Sequence, residues 1–285
     1  MGEAKRRKAA AQDGRGRQYE LQALFDRLRI DPSQPGFYDS PEFMAAEERN
    51  SRFLEHYAEW VIHRDRTPEY DARVREILPK LAGIIADRIE RHAWYGACFP
   101  VSWTVSRILD RLGIWNTTPK GSTSIYLPGD SRHFAIIDKN DGPRTDRGHM
   151  WLIVPPFDIV DFTLHFQRWM SEDAAFRSAV PRSILVEDST VVASRPSDVI
   201  APAARALLPA LPDIHYRRLP QQRRIETLFA PRRVNIGNAD VRYVVSLITA
   251  TKEPLEEINT DGYAGAPAIQ IWREDVAPAF GLSPD

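Results

Sequence analysis

The chain has 285 residues, enough for one large domain or two small ones and for a substantial buried core. Hydrophobic residues make up 43% and charged residues 27% around a formal net charge of −1, which excludes a disordered chain and gives the whole molecule no electrostatic reason to bind nucleic acid or membrane. No stretch approaches the roughly 20 apolar residues of a membrane span, and the charged N-terminus lacks the apolar run of a secretory signal.

Residues 1–17 carry Lys5, Arg6, Arg7, Lys8, Arg15 and Arg17 against Glu3 and Asp13, and they read as a flexible basic tail. An arm for RNA or the ribosome is the sharper alternative. From about 18 to 95 the pattern is helical. Leu21, Leu24, Phe25 and Leu28 recur at spacings of 3 and 4, and the Asp31-Pro32 and Pro35-Gly36 steps close that segment. Ser40-Pro41 reads as an N-cap and first helical residue, opening a helix that carries Phe53, Tyr57, Trp60 and Val61. Thr67-Pro68 opens the next, with Val74, Ile77, Leu78, Leu81, Ile84, Ile85 and Ile89 on one stripe and Pro79 expected to kink or split it.

Val101, Val105, Ile108, Leu109 and Leu112 then form one stripe of a further helix, which Gly113 stops. After residue 115 the period changes to two, and strands are expected at 122–127, 133–138, 148–154 and 159–164. Farther on, 184–193, 241–249 and 268–272 read as strands, with short helical pieces such as 201–208 between them. Helices first and a mainly antiparallel sheet after them make the fold class α+β, with α/β additions at the C-terminus.

One position stands out chemically. Pro100 is tolerated only in a first helical turn, so Cys98 lies at the N-terminus of the helix that follows. The helix dipole and its free N–H groups there favour a thiolate, and the same N–H groups can hold an oxyanion. Gly96 lets the backbone pass close to a substrate. Such a nucleophile needs a base, and the base needs an orienting acceptor. In the strand 148–154, His149, Trp151 and Ile153 share a face. Pro155-Pro156 turns the chain, and a hairpin centred near Pro155 sets Asp161 opposite His149. Asp158 in the turn is the fallback acceptor.

Three short segments carry a resemblance to a known family. Gly96-Ala97-Cys98-Phe99 resembles the Gly-x-Cys-Trp box that opens the nucleophile helix of transglutaminase-like (papain-like) cysteine enzymes. His149-Met150-Trp151 is similar to their His-x-Trp strand, and Asp161-Phe162-Thr163 to their Asp-Pro-Thr. The order is the family's, and the resemblance covers residues 92–166, about a quarter of the chain. Phe99 replaces Trp and Phe162 replaces Pro, which are packing changes that leave the triad intact. Nothing in 171–285 is familiar.

The resemblance implies a core at 96–170, after the helical region 18–95 and before an extension of unassigned role at 171–285 that packs on the core. It implies Cys98 as nucleophile, His149 as base and Asp161 as the residue that orients the base. Singly, each has a plainer account: a buried thiol, a structural histidine, a turn carboxylate. Taken together and in order, they point to a triad.

A second oxyanion donor is expected just upstream, with His92, Trp94 and Tyr95 as candidates beside Gly96 and Ala97. Trp151 is read as core that also screens the His149–Asp161 contact. The activity expected is cleavage or transfer at an amide, isopeptide or thioester carbonyl. The partner is a protein or peptide substrate, or else a small-molecule acyl donor, and no cofactor is called for. A single cysteine excludes an intrachain disulfide and any CxxC site and fits a reducing cytoplasm. His133 with His149 and Cys98 lacks the short-spaced ligand pairs of a structural zinc site. Arg217, Arg218, Arg223, Arg224, Arg232 and Arg233 read as a solvated face. The rival readings are a non-catalytic binding module that keeps the fold, and a nucleic-acid or ribosome-associated factor acting through the basic segments.

Overall fold

In the computed structural model, which describes residues 3–137, 148–207, 220–258 and 267–284, two helices begin where their Ser-Pro and Thr-Pro steps predict. Ser40 Oγ accepts from the Phe43 amide at 3.3 Å and Thr67 Oγ1 from the Tyr70 amide at 3.2 Å, so each side chain satisfies an amide that the first turn leaves free. The helices of the N-terminal part are α1 (Glu3–Leu28), α2 (Pro41–Arg49), α3 (Leu54–His63), α4 (Pro68–Arg91) and α5 (Cys98–Arg111). There follow β1 (Thr118–Leu127), β2 (Asp130–Phe134), β3 (His149–Met150), β4 (Leu152–Val154) and β5 (Phe157–Asp161). Then come α6 (Ala174–Ala179), β6 (Ile184–Val186), β7 (Thr190–Val191), α7 (Pro196–Val199), α8 (Pro202–Leu207), α9 (Pro220–Leu228), β8 (Arg232–Ile236), β9 (Ala239–Thr249) and α10 (Ala268–Ile271). The class is α+β, with helices first and an antiparallel sheet after them.

The main sheet has the order β2-β1-β9-β8-β7, with β3 also paired to β1; β4-β5-β6 forms the second. β3 and β4 are one bent strand. Trp151 N–H donates to Pro119 O at 3.3 Å and Ile153 N–H to Thr117 O at 2.9 Å, so the strand stays bonded to the chain entering β1 and joins the two sheets. Side chains alternate along it. Trp151 and Ile159 face a core shared with α1, α2 and α3, whereas Leu152, Val154, Val160 and Phe162 face α4, α5 and α10. No helix among the described residues is long and apolar enough to cross a membrane.

Several expectations change. α1 begins at Glu3, inside the segment read as a tail, and Arg17 forms an ion pair with Glu59 at 2.7 Å. The long helix expected from Ser40 breaks at Asn50, whose extended backbone separates α2 from α3. α4 runs unbroken through Pro79, because its buried stripe continues on both sides of the proline. The strand expected at 133–138 is shifted to Asp130–Phe134, and residue 138 lies outside the described residues. The strand expected at 184–193 is two, β6 in the second sheet and β7 in the main one. The apolar run at 268–272 is helical, not extended: Ala268, Ile271, Trp272 and Val276 are buried at helical spacing against α4 and α5. Of the arginines read as a solvated face, Arg224 pairs with Glu55 and Arg232 with Asp158, while Arg217 and Arg218 lie outside the described residues.

Gly121, opposite His149 at the crossing of β3 and β1, sits where β1 presses against β9. A Cβ there would lie 1.9 Å from Val244 O, so no side chain fits without moving the sheet. Gly121→Ala should lower the unfolding free energy by about 3 kcal/mol or more through overpacking. Gly83→Ala, on the exposed face of α4 with nothing within 4 Å, should raise it by roughly 0.5–1 kcal/mol. Urea unfolding of both variants checks the pair of signs.

Candidate active site

Cys98 is the first residue of α5, after Ala97 at the N-cap. The amides of Cys98 and Phe99 precede the first intrahelical bond, from Val101 N–H to Ala97 O at 3.1 Å, so the positive end of a 14-residue helix surrounds the sulfur. The chain enters this helix through Gly96 at φ +73°, and Gly96 N–H donates to Phe166 O at 2.8 Å. A Cβ on Gly96 would meet the Arg168 side chain at 2.8 Å, so glycine answers here to both the left-handed backbone and the crossing chain.

The three expected residues come together. Cys98 sits beside the His149 ring and helps to raise its pKa. His149 Nε2–H donates to Asp161 Oδ2 at 2.6 Å, with both side chains fully buried. With Nε2 committed to Asp161, Nδ1 is the ring nitrogen left for another partner. The order sulfur, imidazole, carboxylate is the one a cysteine triad needs.

The route to this contact differs from the expected hairpin. β4 and β5 pair as Leu152↔Val160 and Val154↔Phe157, with an irregularity between them, and His149 pairs with Gly121 on β1. His149 and Asp161 are therefore not cross-strand partners, and they meet because both project from the same face. The fallback acceptor Asp158 is elsewhere, bonded to Ser189 and Arg232.

Asp161 is held from several sides. Its Oδ1 accepts from Thr163 N–H at 2.9 Å, Leu164 N–H at 3.0 Å and Thr163 Oγ1–H at 3.2 Å, a local turn that gives the Asp-x-Thr pattern a physical reason. Its Oδ2 accepts from Tyr243 O–H at 3.1 Å as well as from His149. Burial works against the charged imidazole, but the Asp161 charge and hydrogen bond, together with Cys98, outweigh it and push His149 up to about 10. Burial likewise opposes the Asp161 carboxylate, which the His149 charge and bond, Thr163 and Tyr243 nonetheless hold below its ordinary range. Burial and the neighbouring Asp161 charge drive Tyr243 well above the ordinary phenol value, so its hydroxyl stays a donor.

Tyr243 and Gln167 are the site residues that the sequence reading missed. Tyr243 follows from alternation in β9, where Val241, Tyr243 and Val245 share the inner face and only the tyrosine brings a hydroxyl. Gln167 has no such signal. Its Nε2 donates to Thr163 O at 3.0 Å and lies 3.5 Å from His149 Nδ1.

Trp151 stacks beside His149 with ring centroids 6.3 Å apart and an 18° interplanar angle, and Phe134 covers the ring at 6.1 Å. Screening is thus shared by both rings. The upstream candidates do not join the triad. Trp94 is buried in the core with α4 and α5, His92 caps the C-terminus of α4, and Tyr95 is partly exposed. Among the described residues neither His92 nor Trp94 hydrogen-bonds Cys98, His149 or Asp161. Gly96 uses its own amide on Phe166. Among the same residues no group of three His, Cys, Asp or Glu side chains is placed to hold a metal ion, and His133 bonds Ser124 and Ser131.

No family model matches the chain, and no curated protein or solved structure matches it. The site therefore speaks through its own geometry.

The imidazolium–carboxylate pair makes a pH prediction. A histidine raised from 6.5 to about 10 adds stability that is complete below pH ~6.5 and is lost as pH rises through 10. The depressed Asp161 adds stability that is present above the ordinary carboxylate pKa of about 4 and is lost in acid. The stability gap between wild type and Asp161→Asn should be widest at about pH 4–6.5 and shrink steadily toward pH 10. Urea midpoints of both proteins across that range decide it. A gap that does not vary with pH would mean that His149 is neutral.

Proposed function

We propose that this chain is a transglutaminase-like cysteine enzyme of the cytoplasm that cleaves or transfers at an amide, isopeptide or thioester carbonyl of a protein or peptide. The observation that carries the reading is a single buried imidazole, bonded through Nε2 to a buried carboxylate and lying beside a thiol at a helix N-terminus.

In this reading the Cys98 thiolate attacks the carbonyl carbon, a C–S bond forms, and the carbonyl electron pair moves onto oxygen. His149, held as imidazolium by Asp161, gives its proton to the departing amine or thiolate as the tetrahedral species collapses to a thioester. Water or an amine then gives a proton to His149 and attacks the thioester. The C–S bond breaks, and the thiolate returns. Asp161 keeps the ring oriented throughout, and Tyr243 keeps Asp161 oriented.

The oxyanion is assigned to the Cys98 amide and the Gln167 side-chain amide. The Cys98 amide lies in the first turn of α5, and the Gln167 Nε2, 3.5 Å from His149 Nδ1, is fixed by Thr163 O. Such a donor matters in acyl transfer, where an oxygen acquires charge, and not in alkylation, where none does.

Two reagents separate these roles. Iodoacetamide alkylates a thiolate by displacement at saturated carbon, whereas p-nitrophenyl acetate acylates through a tetrahedral oxyanion. Gln167→Ala should leave iodoacetamide labelling of Cys98 unchanged while slowing acylation about 10²-fold, and His149→Ala should slow both. Equal acylation of wild type and Gln167→Ala removes Gln167 from the oxyanion site. A wild-type Cys98 inert to both reagents ends the enzyme reading itself.

A further inference from the structure

Beneath the triad lies a second space. A cavity of about 330 Å³ is walled on one side by Trp151 and Tyr243, the residues that back His149 and Asp161. Trp151, Ile159, Phe229 and Tyr243 are nearly inaccessible and form its floor. The Tyr243 hydroxyl already donates to Asp161 at 3.1 Å, so its proton is not available to a ligand. The floor therefore offers apolar surface. At the roughly 30 Å³ that a water occupies in the liquid, the whole space equals about eleven waters, or a ligand of about ten non-hydrogen atoms.

Charge is confined to the mouth. Arg66 and Arg232 line the same cavity with 25% and 34% of their side chains exposed, so they stand at the rim, where it meets solvent. Asp158 is the carboxylate among the wall residues. It accepts from Ser189 twice, from N–H at 3.1 Å and from O–H at 2.8 Å, and from Arg232 Nη1 at 3.2 Å. Those two serine bonds keep Asp158 satisfied when Arg232 turns to a ligand. Arg66 bonds Asp71 through Nε at 2.9 Å, which leaves the N–H groups of its two terminal nitrogens outside that bond. Two guanidiniums against one carboxylate make the mouth net positive, and a planar guanidinium fork matches a carboxylate.

We infer that this cavity binds an apolar monocarboxylate the size of octanoate, its apolar body on the floor and its carboxylate at the mouth with Arg66 and Arg232. An uncharged apolar molecule would leave the guanidiniums unanswered, and a short acid would leave the floor uncovered. The site is separate from the Cys98 chemistry and does not rest on it.

The test is calorimetric titration of the intact protein with three probes: octanoate, its uncharged counterpart octanamide, and propionate, which keeps the carboxylate but has almost no chain. Octanoate should bind saturably at one site. Octanamide should bind about tenfold more weakly for want of the charge-assisted bonds. Propionate should bind roughly a hundredfold more weakly or worse, because it covers little of the floor. Arg232→Gln should weaken octanoate about tenfold and leave octanamide unchanged. Arg66→Gln, in the loop between α3 and α4, should do the same and decides the matter if Arg232→Gln fails to fold. Ala230→Trp, a wall position between α9 and β8, fills the space and should abolish binding of both eight-carbon probes. No saturable heat with octanoate, equal affinity for octanoate and either comparator, full affinity in the folded arginine variants, or unchanged binding in folded Ala230→Trp would each overturn the assignment.

Discussion

The buried contact between His149 and Asp161 is the constraint around which the rest of the structure is arranged. Two ionisable side chains removed from water resist charging, and removing one partner of such a pair typically costs about 3–5 kcal/mol because the other charge is left uncompensated. The carboxylate is kept ionised by the imidazole, by the Tyr243 hydroxyl and by the turn formed by residues 161–164. Those donors come from β3, from the loop after β5 and from β9. β9, about 80 residues downstream, is therefore an integral part of the site, and the C-terminal extension carries one of its hydrogen bonds.

A second constraint fixes the sulfur. α5 is one continuous helix, so where Cys98 sits depends on how both ends of the helix are held. At the far end, Asp110 accepts from the Tyr38 hydroxyl at 3.0 Å and from Asn116 Nδ2 at 2.8 Å, and Arg107 pairs with Asp39 at 2.8 Å. Burial pushes Asp110 up to about 7 in spite of these partners, so it sits near the balance between its charged and neutral forms. At the near end, Ser102 Oγ–H donates to Met150 O at 3.3 Å, one residue from His149. That bond ties the first turns of α5 directly to the strand that bears His149.

How much of this was legible in the sequence depended on the range of the interaction. Pro100 fixed the start of α5, and its apolar stripe predicted the buried face, because both are local properties of a helix. Alternation along 148–154 placed His149 and Trp151 on one face, and only the side-chain period was needed for that. Register was not legible. It was decided by the pairing of His149 with Gly121, some 28 residues upstream, where a close approach admits no side chain. Gln167 was hidden for a similar reason, since its place beside His149 arises from the path of an irregular loop. The run at 268–272 was short enough to fit either period, and packing against α4 and α5 chose the helix.

The alternation that brings His149 to Asp161 has a further consequence for Trp151 and Tyr243. Each side chain has the triad on one side and the cavity on the other. Tyr243 donates to Asp161 while its ring forms part of the cavity floor, and its centroid lies 5.1 Å from that of Trp151 at an angle of 61°. Interiors packed at this density do not let one of these rings shift independently of the other. A change in what fills the cavity must then be absorbed either by the arginine rim, which is partly exposed and able to move, or by the two rings that hold the imidazole and its carboxylate. The rim arginines are partly exposed whereas the two rings are closely packed, so packing favours adjustment at the mouth over displacement of the stacking on His149 and the Tyr243–Asp161 bond.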